Sequence, residues 1–242
     1  MTAKKKQASR NANTFLPGFL LQENSPFSIQ EAYKSLRTNL SYAVPGNRKN
    51  LIFGITSSNI GEGKSASALN LAMSYATLHK KVLLIDCDLR RPSIAQKLKQ
   101  RRIAGTIGLT EFLTGKAGLN ACIQPVPGTS LHVLPSGMIP PDATALLESE
   151  EMGLLFETLK EEYEIIILDL PPVLSVTDAS ILSEYVDGLL LVVRHNSTHI
   201  DSVEETIRQL RLVNAKVLGF LYNDVPPESK KYGSKYYVSS KR

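Results

Sequence analysis

A phosphate loop followed by two strands that each end in aspartate constrains this chain more than any other feature. Residues 58–65 read SNIGEGKS and lie between an apolar run at 51–55 and a helix-like stretch. Residues 82–88 read VLLIDCD, and residues 165–169 read IIILD. A strand, a glycine-rich turn and a helix in this order are the context that a phosphate loop requires. The three elements together predict a site for a nucleotide and Mg²⁺.

The loop supplies backbone amides and two reactive side chains. Unpaired amides at the helix start attract an anion, and glycines let the backbone approach phosphates without a Cβ clash. Lys64 is expected to reach the β- and γ-phosphates, and the Ser65 hydroxyl to bind Mg²⁺. The predicted nucleotide-binding residues are Ser58, Asn59, Gly61, Glu62, Gly63, Lys64, Ser65, Ala66 and Asn223. The alternative is a glycine-rich turn that only caps an ordinary helix.

Aspartates end both strands. The carboxyl edge of an open α/β sheet lies beside such a loop, so Asp169 is expected to orient the metal or its bound water. Asp86 and Asp88 are two residues apart and should face one side of an extended strand, while Cys87 faces the packed side. Two like charges this close are favourable when a divalent cation lies between them or when one must accept a proton. The alternative for Asp88 is a cap on the helix that begins near Pro92.

Strand and helix signals alternate along the chain. Nearly continuous Val, Ile and Leu strands separated by helices predict an α/β fold, with a mostly parallel central sheet and helices on both faces. Asp142 is placed to cap the helix that begins at residue 143. The predicted strands are 51–56, 82–86, 131–134, 165–169, 189–193 and 217–222. The predicted helices are 28–43, 64–79, 92–99, 108–114, 143–161, 177–185 and 200–212.

Composition indicates a globular domain without a disulfide framework. The 242 residues are 43% hydrophobic and 21% charged, which suits one large core. The two cysteines, Cys87 and Cys122, favour reduced thiols and a cytosolic setting. No apolar run reaches the roughly 20 residues that span a bilayer, and residues 1–10 lack the apolar core of a signal peptide. Any membrane link is therefore expected to come through a partner.

Basic residues are concentrated at the two ends of the chain. The formal net charge is +5, of which residues 1–10 and residues 228–242 each carry +4, leaving −3 for the rest. This distribution argues against a folded nucleic-acid face, so no nucleic-acid partner is expected. Basic ends favour anionic lipid surfaces or acidic partners, although solvated termini explain the first ten residues as well.

Three blocks of the sequence resemble those of bacterial tyrosine kinases: residues 56–65, 83–92 and 167–172. The resemblance covers most of the chain, and its specific part is the Asp-x-Asp-x-Arg block. It implies a P-loop NTPase architecture of the deviant Walker A-like type. It also implies an ATP-dependent protein tyrosine kinase that uses Mg²⁺ and regulates capsular and exopolysaccharide synthesis. In related P-loop ATPases an asparagine at the position of Asn223 reads adenine, although a strand-ending turn explains this residue nearly as well.

The kinase reading assigns a role to each charged residue of the site. Asp86 or Asp88 accepts the tyrosine proton, and Asp169 completes the metal shell. The predicted catalytic residues are Lys64, Asp86, Asp88 and Asp169. The predicted metal ligands are Ser65, Asp86 and Asp169.

Residues 31–40 resemble the family's N-terminal oligomerisation helix. Lys34 stands where the family has arginine, and lysine keeps the charge but loses the bidentate fork. Glu31 is expected to meet Lys34 and Arg37 of a neighbour, and head-to-tail contacts of this kind close into a homo-oligomeric ring. The resemblance further implies a membrane-bound modulator whose cytoplasmic segment stimulates the kinase. The chain is therefore expected to be cytoplasmic and membrane-associated through that partner.

Three of the nine tyrosines fall within the last 11 residues, among Lys, Gly and Ser. They resemble the family's C-terminal autophosphorylation cluster, although a chance grouping near a terminus is the alternative. The predicted phosphoacceptors are Tyr232, Tyr236 and Tyr237. The expected organisation is a basic flexible arm at 1–24, a kinase domain at 25–225 and a flexible tyrosine-containing tail at 226–242.

Two other functions fit the same fold. A partitioning-type ATPase that positions chromosomes or septa would carry a lysine early in the loop, where this chain has Asn59. Such proteins also lack the Asp-x-Asp-x-Arg block and the tyrosine tail. A nucleotide-gated scaffold without catalysis is the third possibility, because nucleotide binding and phosphoryl transfer use the same residues.

Overall fold

Within the described residues, seven strands form one sheet, and only its short edge strand β3 runs antiparallel to its neighbour. The computed structural model describes residues 20–22, 24–44, 48–98 and 107–226. The strands are β1 (Leu51–Ser57), β2 (Val82–Asp86), β3 (Gln124–Pro125), β4 (Leu131–Leu134), β5 (Ile165–Asp169), β6 (Gly188–Arg194) and β7 (Val217–Asn223). Their order across the sheet is β3-β4-β2-β5-β1-β6-β7.

Helices cover both faces of this sheet, which confirms the predicted α/β class. They are α1 (Phe27–Ala43), α2 (Lys64–Ala76), α3 (Ile94–Leu98), α4 (Leu109–Leu113), α5 (Leu119–Cys122), α6 (Ala143–Leu147), α7 (Glu150–Glu162), α8 (Asp178–Ile181) and α9 (Ile200–Leu212). A 3-10 turn, Leu182–Tyr185, follows α8. Within the described ranges, no helix has the length and apolar character needed to span a membrane.

Alternate residues of the central strands enter two separate cores. Leu84 and Ile167 pack with α1 and α2 on one face of the sheet. Leu83 and Ile166 pack on the other face, with the apolar side of α7. Because both faces are covered, the central strands β2 and β5 are buried along their whole length, whereas the edge strand β7 is partly exposed. The same alternation buries Cys87 in the second core, as predicted from its position between two aspartates.

Some predicted boundaries were wrong for local reasons. The predicted helix at 143–161 is two helices, because the chain turns at Glu148 and Ser149 between α6 and α7. The predicted helix at 177–185 is one α-helical turn followed by the 3-10 turn. Strand β3 and helix α5 were not predicted, since elements of two and four residues carry no readable period. Asp142 does cap α6, since its Oδ1 accepts a hydrogen bond from the Ala145 amide.

The N-terminal residues that are described pack against the fold. Leu20 and Leu21 are buried in the core beside α2, and the Leu21 amide donates to Asn70 Oδ1 at 2.7 Å. The predicted arm at 1–24 therefore includes residues that belong to the packed body, because two adjacent leucines gain more from burial than from exposure to solvent. Residues 1–19 lie outside the described chain.

Candidate functional site

The phosphate loop connects β1 to α2 in a conformation that needs its glycines. Gly61 and Gly63 have φ angles of 85° and 97°, in the left-handed region that glycine adopts without strain. Gly63 is also the N-cap of α2, and within the described chain no side chain caps this helix. The amides of its first turn are therefore available to an anion. A cavity of about 470 Å³ opens here, and its lining includes Lys64, Ser65 and Ala66.

Three carboxylates meet beside this loop because β2 and β5 are neighbours. Asp86 lies opposite Asp169 in their parallel register. The Lys64 ammonium is 2.8 Å from Asp88 Oδ2 and 3.7 Å from Asp169 Oδ1. Asp86 and Asp169 are fully buried, and Asp88 is only 4% exposed. The structure thus brings together the four residues predicted to be catalytic, with one cation facing three buried anions.

The protonation equilibria of this cluster reflect burial and mutual repulsion. Burial raises the pKa of Asp86, and the charge of Asp169 raises it further, against the opposing effects of the Ile94 amide and Lys64. Burial likewise raises the pKa of Asp169, opposed by Lys64 and Ser65. Burial alone would lower the pKa of Lys64, but the aspartates outweigh it and the pKa is raised. The ammonium is therefore held in its charged form.

Asp86 and Asp88 accept hydrogen bonds from different backbone amides. Asp86 Oδ2 accepts hydrogen bonds from the amides of Ser93 and Ile94 at 3.1 and 3.0 Å, at the start of α3. Asp88 Oδ1 accepts one from the Arg91 amide at 2.9 Å. The helix cap considered for Asp88 is thus supplied by Asp86. Asp88 lines the cavity, whereas Asp86 is closed off behind it.

The site contains oxygen atoms that lack a donor and suit a hard cation. Asp86 Oδ1 and both carboxylate oxygens of Asp169 accept no hydrogen bond of good geometry from the described residues, although Ser65 lies close enough to influence the pKa of Asp169. Mg²⁺ is typically held by one or two carboxylates together with substrate phosphates and water. No cluster of three or more His, Cys, Asp or Glu side chains within the described ranges could hold a metal alone. The predicted ligands Ser65, Asp86 and Asp169 therefore fit Mg²⁺ bound together with a nucleotide.

Two side chains predicted to bind the nucleotide, those of Ser58 and Asn223, make hydrogen bonds within the protein. The hydroxyls of Ser58 and Thr206 are hydrogen-bonded at 2.9 Å, and both residues are fully buried. Asn223 Nδ2 donates to the Glu62 carbonyl at 3.0 Å. An added Cβ on Gly63 would lie 2.1 Å from the same nitrogen, so Asn223 packs directly on the loop. These residues can support the loop, while its backbone faces the cavity.

The cavity lining also includes basic side chains, which the sequence analysis did not predict as part of the site. These are Arg90, Arg91 and Lys97. Arg90 is held by Asp178, whose carboxylate accepts hydrogen bonds from its Nε at 2.9 Å and from an Nη at 3.1 Å. The arginine pair directly follows the Asp-x-Asp motif, so its position at the same sheet edge was the available signal.

Comparisons with known proteins agree with this geometry. A family model described as an AAA domain matches residues 52–221. The tyrosine-protein kinase CpsD of Streptococcus agalactiae serotype Ia is 36% identical over 205 residues, covering 84% of this chain and 86% of CpsD. The kinase domain of the Escherichia coli tyrosine kinase ETK superposes with a TM-score of 0.80 at 33% identity, covering 88% of this chain and 82% of that one. The chain is an AAA-domain protein of the bacterial tyrosine kinase family.

A weaker likeness explains why a partitioning-type ATPase was a reasonable alternative for this tyrosine kinase. The septum site-determining protein MinD of Pyrococcus horikoshii, complexed with Mg-ADP, has a TM-score of 0.61 and 23% identity. The match covers 74% of this chain and 75% of the MinD chain. At this identity the likeness shows the shared fold alone, and the kinase relatives are the more similar. The alternative is therefore not favoured.

The other residues predicted for the kinase lie away from the cavity or outside the described chain. On α1, Lys34 Nζ pairs with Glu31 of the same helix at 2.7 Å. Arg37 is engaged within its own chain, where it donates to the Ser74 carbonyl and hydroxyl and lies over the Tyr75 ring. The predicted phosphoacceptors Tyr232, Tyr236 and Tyr237 lie outside the described residues.

Replacing Lys64 with methionine should destabilise the kinase as well as remove a phosphate ligand. The Lys64 side chain is only 11% exposed, and its loss leaves three buried carboxylates without their cation. We expect the free energy of unfolding to fall by roughly 3–5 kcal/mol, as for other broken buried ion pairs. Urea unfolding followed by circular dichroism measures this, with the exposed Lys116→Met as the matched control. Equal midpoints for the two variants would contradict the buried charge cluster.

Proposed function

We propose that the chain transfers the γ-phosphoryl group of ATP to protein tyrosine hydroxyls. The observation that carries the proposal is the Lys64 ammonium held among Asp86, Asp88 and Asp169 beside a loop with free helix amides. Membership of the tyrosine kinase family supports the same reaction. In phosphoryl transfer the protein acts mainly by positioning the reactants and by neutralising charge on the transferring group.

Each residue of the cluster has a defined part in this proposal. The loop amides and Lys64 would bind the phosphates. Ser65, Asp86 and Asp169 would hold Mg²⁺, which would neutralise charge on the phosphates. The tyrosine oxygen bonds to the γ-phosphorus while the bond from that phosphorus to the β–γ bridging oxygen breaks, leaving ADP. A carboxylate takes the phenolic proton, because the tyrosine pKa near 10 leaves the hydroxyl protonated at neutral pH. Asp88 is better placed than Asp86 for this role, since it lines the cavity.

The single variants Asp86→Asn and Asp88→Asn should each phosphorylate tyrosine roughly 10²- to 10³-fold more slowly than wild type. Removing one charge from such a site costs a few kcal/mol of transition-state stabilisation. The measurement incubates the purified chain with Mg-ATP and follows phosphotyrosine by immunoblot and mass spectrometry.

The matched control for these variants is Asp142→Asn, because asparagine caps a helix as well as aspartate does. This control should keep the wild-type rate. Wild-type rates in both Asp86→Asn and Asp88→Asn would show that the strand aspartates are structural. An unsubstituted chain that forms no phosphotyrosine would favour the non-catalytic scaffold.

We further propose that the kinase assembles through α1 into a ring. Glu31 and Lys34 are exposed and pair with each other, so they can exchange partners with a neighbour at little cost. The same helix also exposes Phe27, Ile29 and Tyr42. Arg37 is less free to take part, since Ser74 holds it.

Reversing one charge tests this interface. Glu31→Lys places three basic residues on one helix and should reduce the mass measured by light scattering, and high salt should loosen the wild-type assembly. Glu157→Lys on α7 is the control for charge reversal elsewhere on the surface. Equal oligomeric masses for wild type and Glu31→Lys would reject the α1 contact.

The acceptors proposed for this kinase are the tail tyrosines Tyr232, Tyr236 and Tyr237, phosphorylated by a neighbouring subunit. About ten extended residues reach roughly 30–35 Å, which is enough to reach an adjacent site in a ring. By family membership, the proposed biological role is regulation of capsular or exopolysaccharide synthesis. A membrane-bound modulator would activate the cytoplasmic chain.

Transfer between subunits can be measured by mixing two variants. One subunit carries Lys64→Met and an intact tail, and the other is active but lacks residues 228–242. Phosphotyrosine on the tail of the inactive subunit is expected. Phosphate found by mass spectrometry only on tyrosines of the folded body, such as Tyr75 or Tyr163, would contradict the tail assignment.

A further inference from the structure

A turn between β6 and α9 holds the phosphate loop from the side opposite the cavity. Arg194, which ends β6, donates to the loop at the Gly61 carbonyl and also pairs with Asp224. Thr198, in the turn, donates to the loop at the Glu62 carboxylate. We call Glu62, Arg194, Thr198 and Asp224 the loop clamp. Apart from Glu62, none of the four was predicted as part of the site, although Arg194 ends a strand at the site's edge of the sheet.

Thr198 links this turn to the loop through the carboxylate of Glu62. Its hydroxyl donates to Glu62 Oε1 at 2.7 Å and accepts from the Arg194 amide at 2.8 Å. Glu62 Oε2 in turn accepts from the Asn59 amide at 3.1 Å. Glu62 is only 2% exposed, so an acid inside an anion-binding loop is turned away from solvent and fully committed to the protein. Its bonds hold the Asn59 backbone, and with it the course of the loop, in place.

Arg194 grips the loop at a second point. One of its guanidinium nitrogens donates to the Gly61 carbonyl at 3.2 Å. The Nε and the other nitrogen donate to Asp224 Oδ2 at 3.0 and 2.9 Å. Asp224 follows β7 directly and has a left-handed φ of 59°, a conformation that aspartate and asparagine tolerate better than most residues. One guanidinium therefore joins the loop to the start of the segment that continues toward the tail.

Fixing these two points affects how well the loop binds a phosphate. Loop amides that are already directed at the anion lose less conformational entropy on binding, which is the usual benefit of preorganisation. The Gly61 carbonyl must also point away from the phosphates, and Arg194 holds it there. Neither Arg194 nor Thr198 lines the cavity, so both would act through the loop.

We propose that Thr198 and Arg194 are positioning residues that hold the phosphate loop in its nucleotide-binding shape, and that Asp224 couples this shape to the C-terminal end of β7. The proposal rests on the assignment of the loop to ATP in the proposed function. It does not require that phosphate be transferred to tyrosine.

The first test measures equilibrium binding of Mg-ADP to the full chain by calorimetry. Thr198→Val keeps the shape of the side chain but removes the hydroxyl, and should weaken binding about tenfold, the effect of losing roughly one buried hydrogen bond. Thr198→Ser keeps both bonds and should bind within about twofold of wild type. Thr158→Val, on the exposed side of α7, is the matched control and should bind like wild type.

The outcome separates the clamp from simple loss of structure and from failure of the kinase proposal. Wild-type affinity in Thr198→Val overturns the clamp, and so does equal weakening in Thr198→Val and Thr198→Ser. Weakened binding with an unchanged melting curve supports it. That result stands even if the wild-type chain forms no phosphotyrosine, because binding is measured with ADP. In a chain that is active, KM for ATP should rise in Thr198→Val while kcat stays within about threefold.

The second test addresses Arg194 and Asp224, and remains informative if Thr198→Val does not fold. Arg194→Lys keeps the charge but cannot reach two acceptors with one planar group, and should weaken Mg-ADP binding. In wild type, Mg-ADP should slow hydrogen exchange of the backbone amides at 218–225, and this protection should be lost in Asp224→Asn. Because coupling is reciprocal, unchanged protection in Asp224→Asn overturns the link to this segment, and unchanged affinity in Arg194→Lys overturns the role of Arg194.

Discussion

The contact of the Lys64 ammonium with buried carboxylates is the interaction on which the site depends. A single cation at 2.8 Å from Asp88 and 3.7 Å from Asp169 cannot neutralise three aspartates in a region of low dielectric. Burial raises the pKa values of Asp86 and Asp169, and repulsion between the carboxylates raises them further, against the opposing effect of Lys64. The cluster is stable in the folded protein because strand register and backbone amides hold it together. In the proposed function, a nucleotide and a divalent cation would bring the charges that complete it.

Register is what assembles this cluster from distant parts of the chain. Parallel strands end at a common edge, and the pairing of β2 with β5 places Asp86 opposite Asp169. Strand β1 delivers the loop to the same edge, and β6 and β7 deliver Arg194 and Asn223. The apolar interiors of the strands provide the stability that a repulsive charged edge needs. Fold and site are therefore products of one pattern, with apolar strands that end in polar residues.

That pattern explains how much the sequence could predict. Strand ends and the sequence Asp-x-Asp are local signals, so the strands and the meeting of Asp86 with Asp169 could be predicted. The division of 143–161 into α6 and α7 could not, because its turn is set by packing rather than by Gly or Pro. The pair Glu62 and Thr198 spans 136 residues, and no local period reports such a contact. Arg37, which is predicted to contact another subunit, also donates to Ser74 of its own chain, and no local pattern reports that contact.

The usual phosphate-loop pattern begins with a glycine six residues before its lysine, where this chain has Ser58. This departure follows from a division of roles between the loop's backbone and its side chains. The cavity is met by loop amides, while the side chains of Ser58 and Glu62 are directed into the protein. A side chain at residue 58 is therefore tolerated where Thr206 offers its hydroxyl and no solvent enters. The residue type at a loop position therefore depends on the protein groups that its side chain contacts as well as on the ligand that the loop backbone binds. Ser58 and Thr206, like Glu62 and Thr198, join the loop to α9 and to the turn that precedes it, so the loop's sequence has to be read together with that of the 194–206 segment.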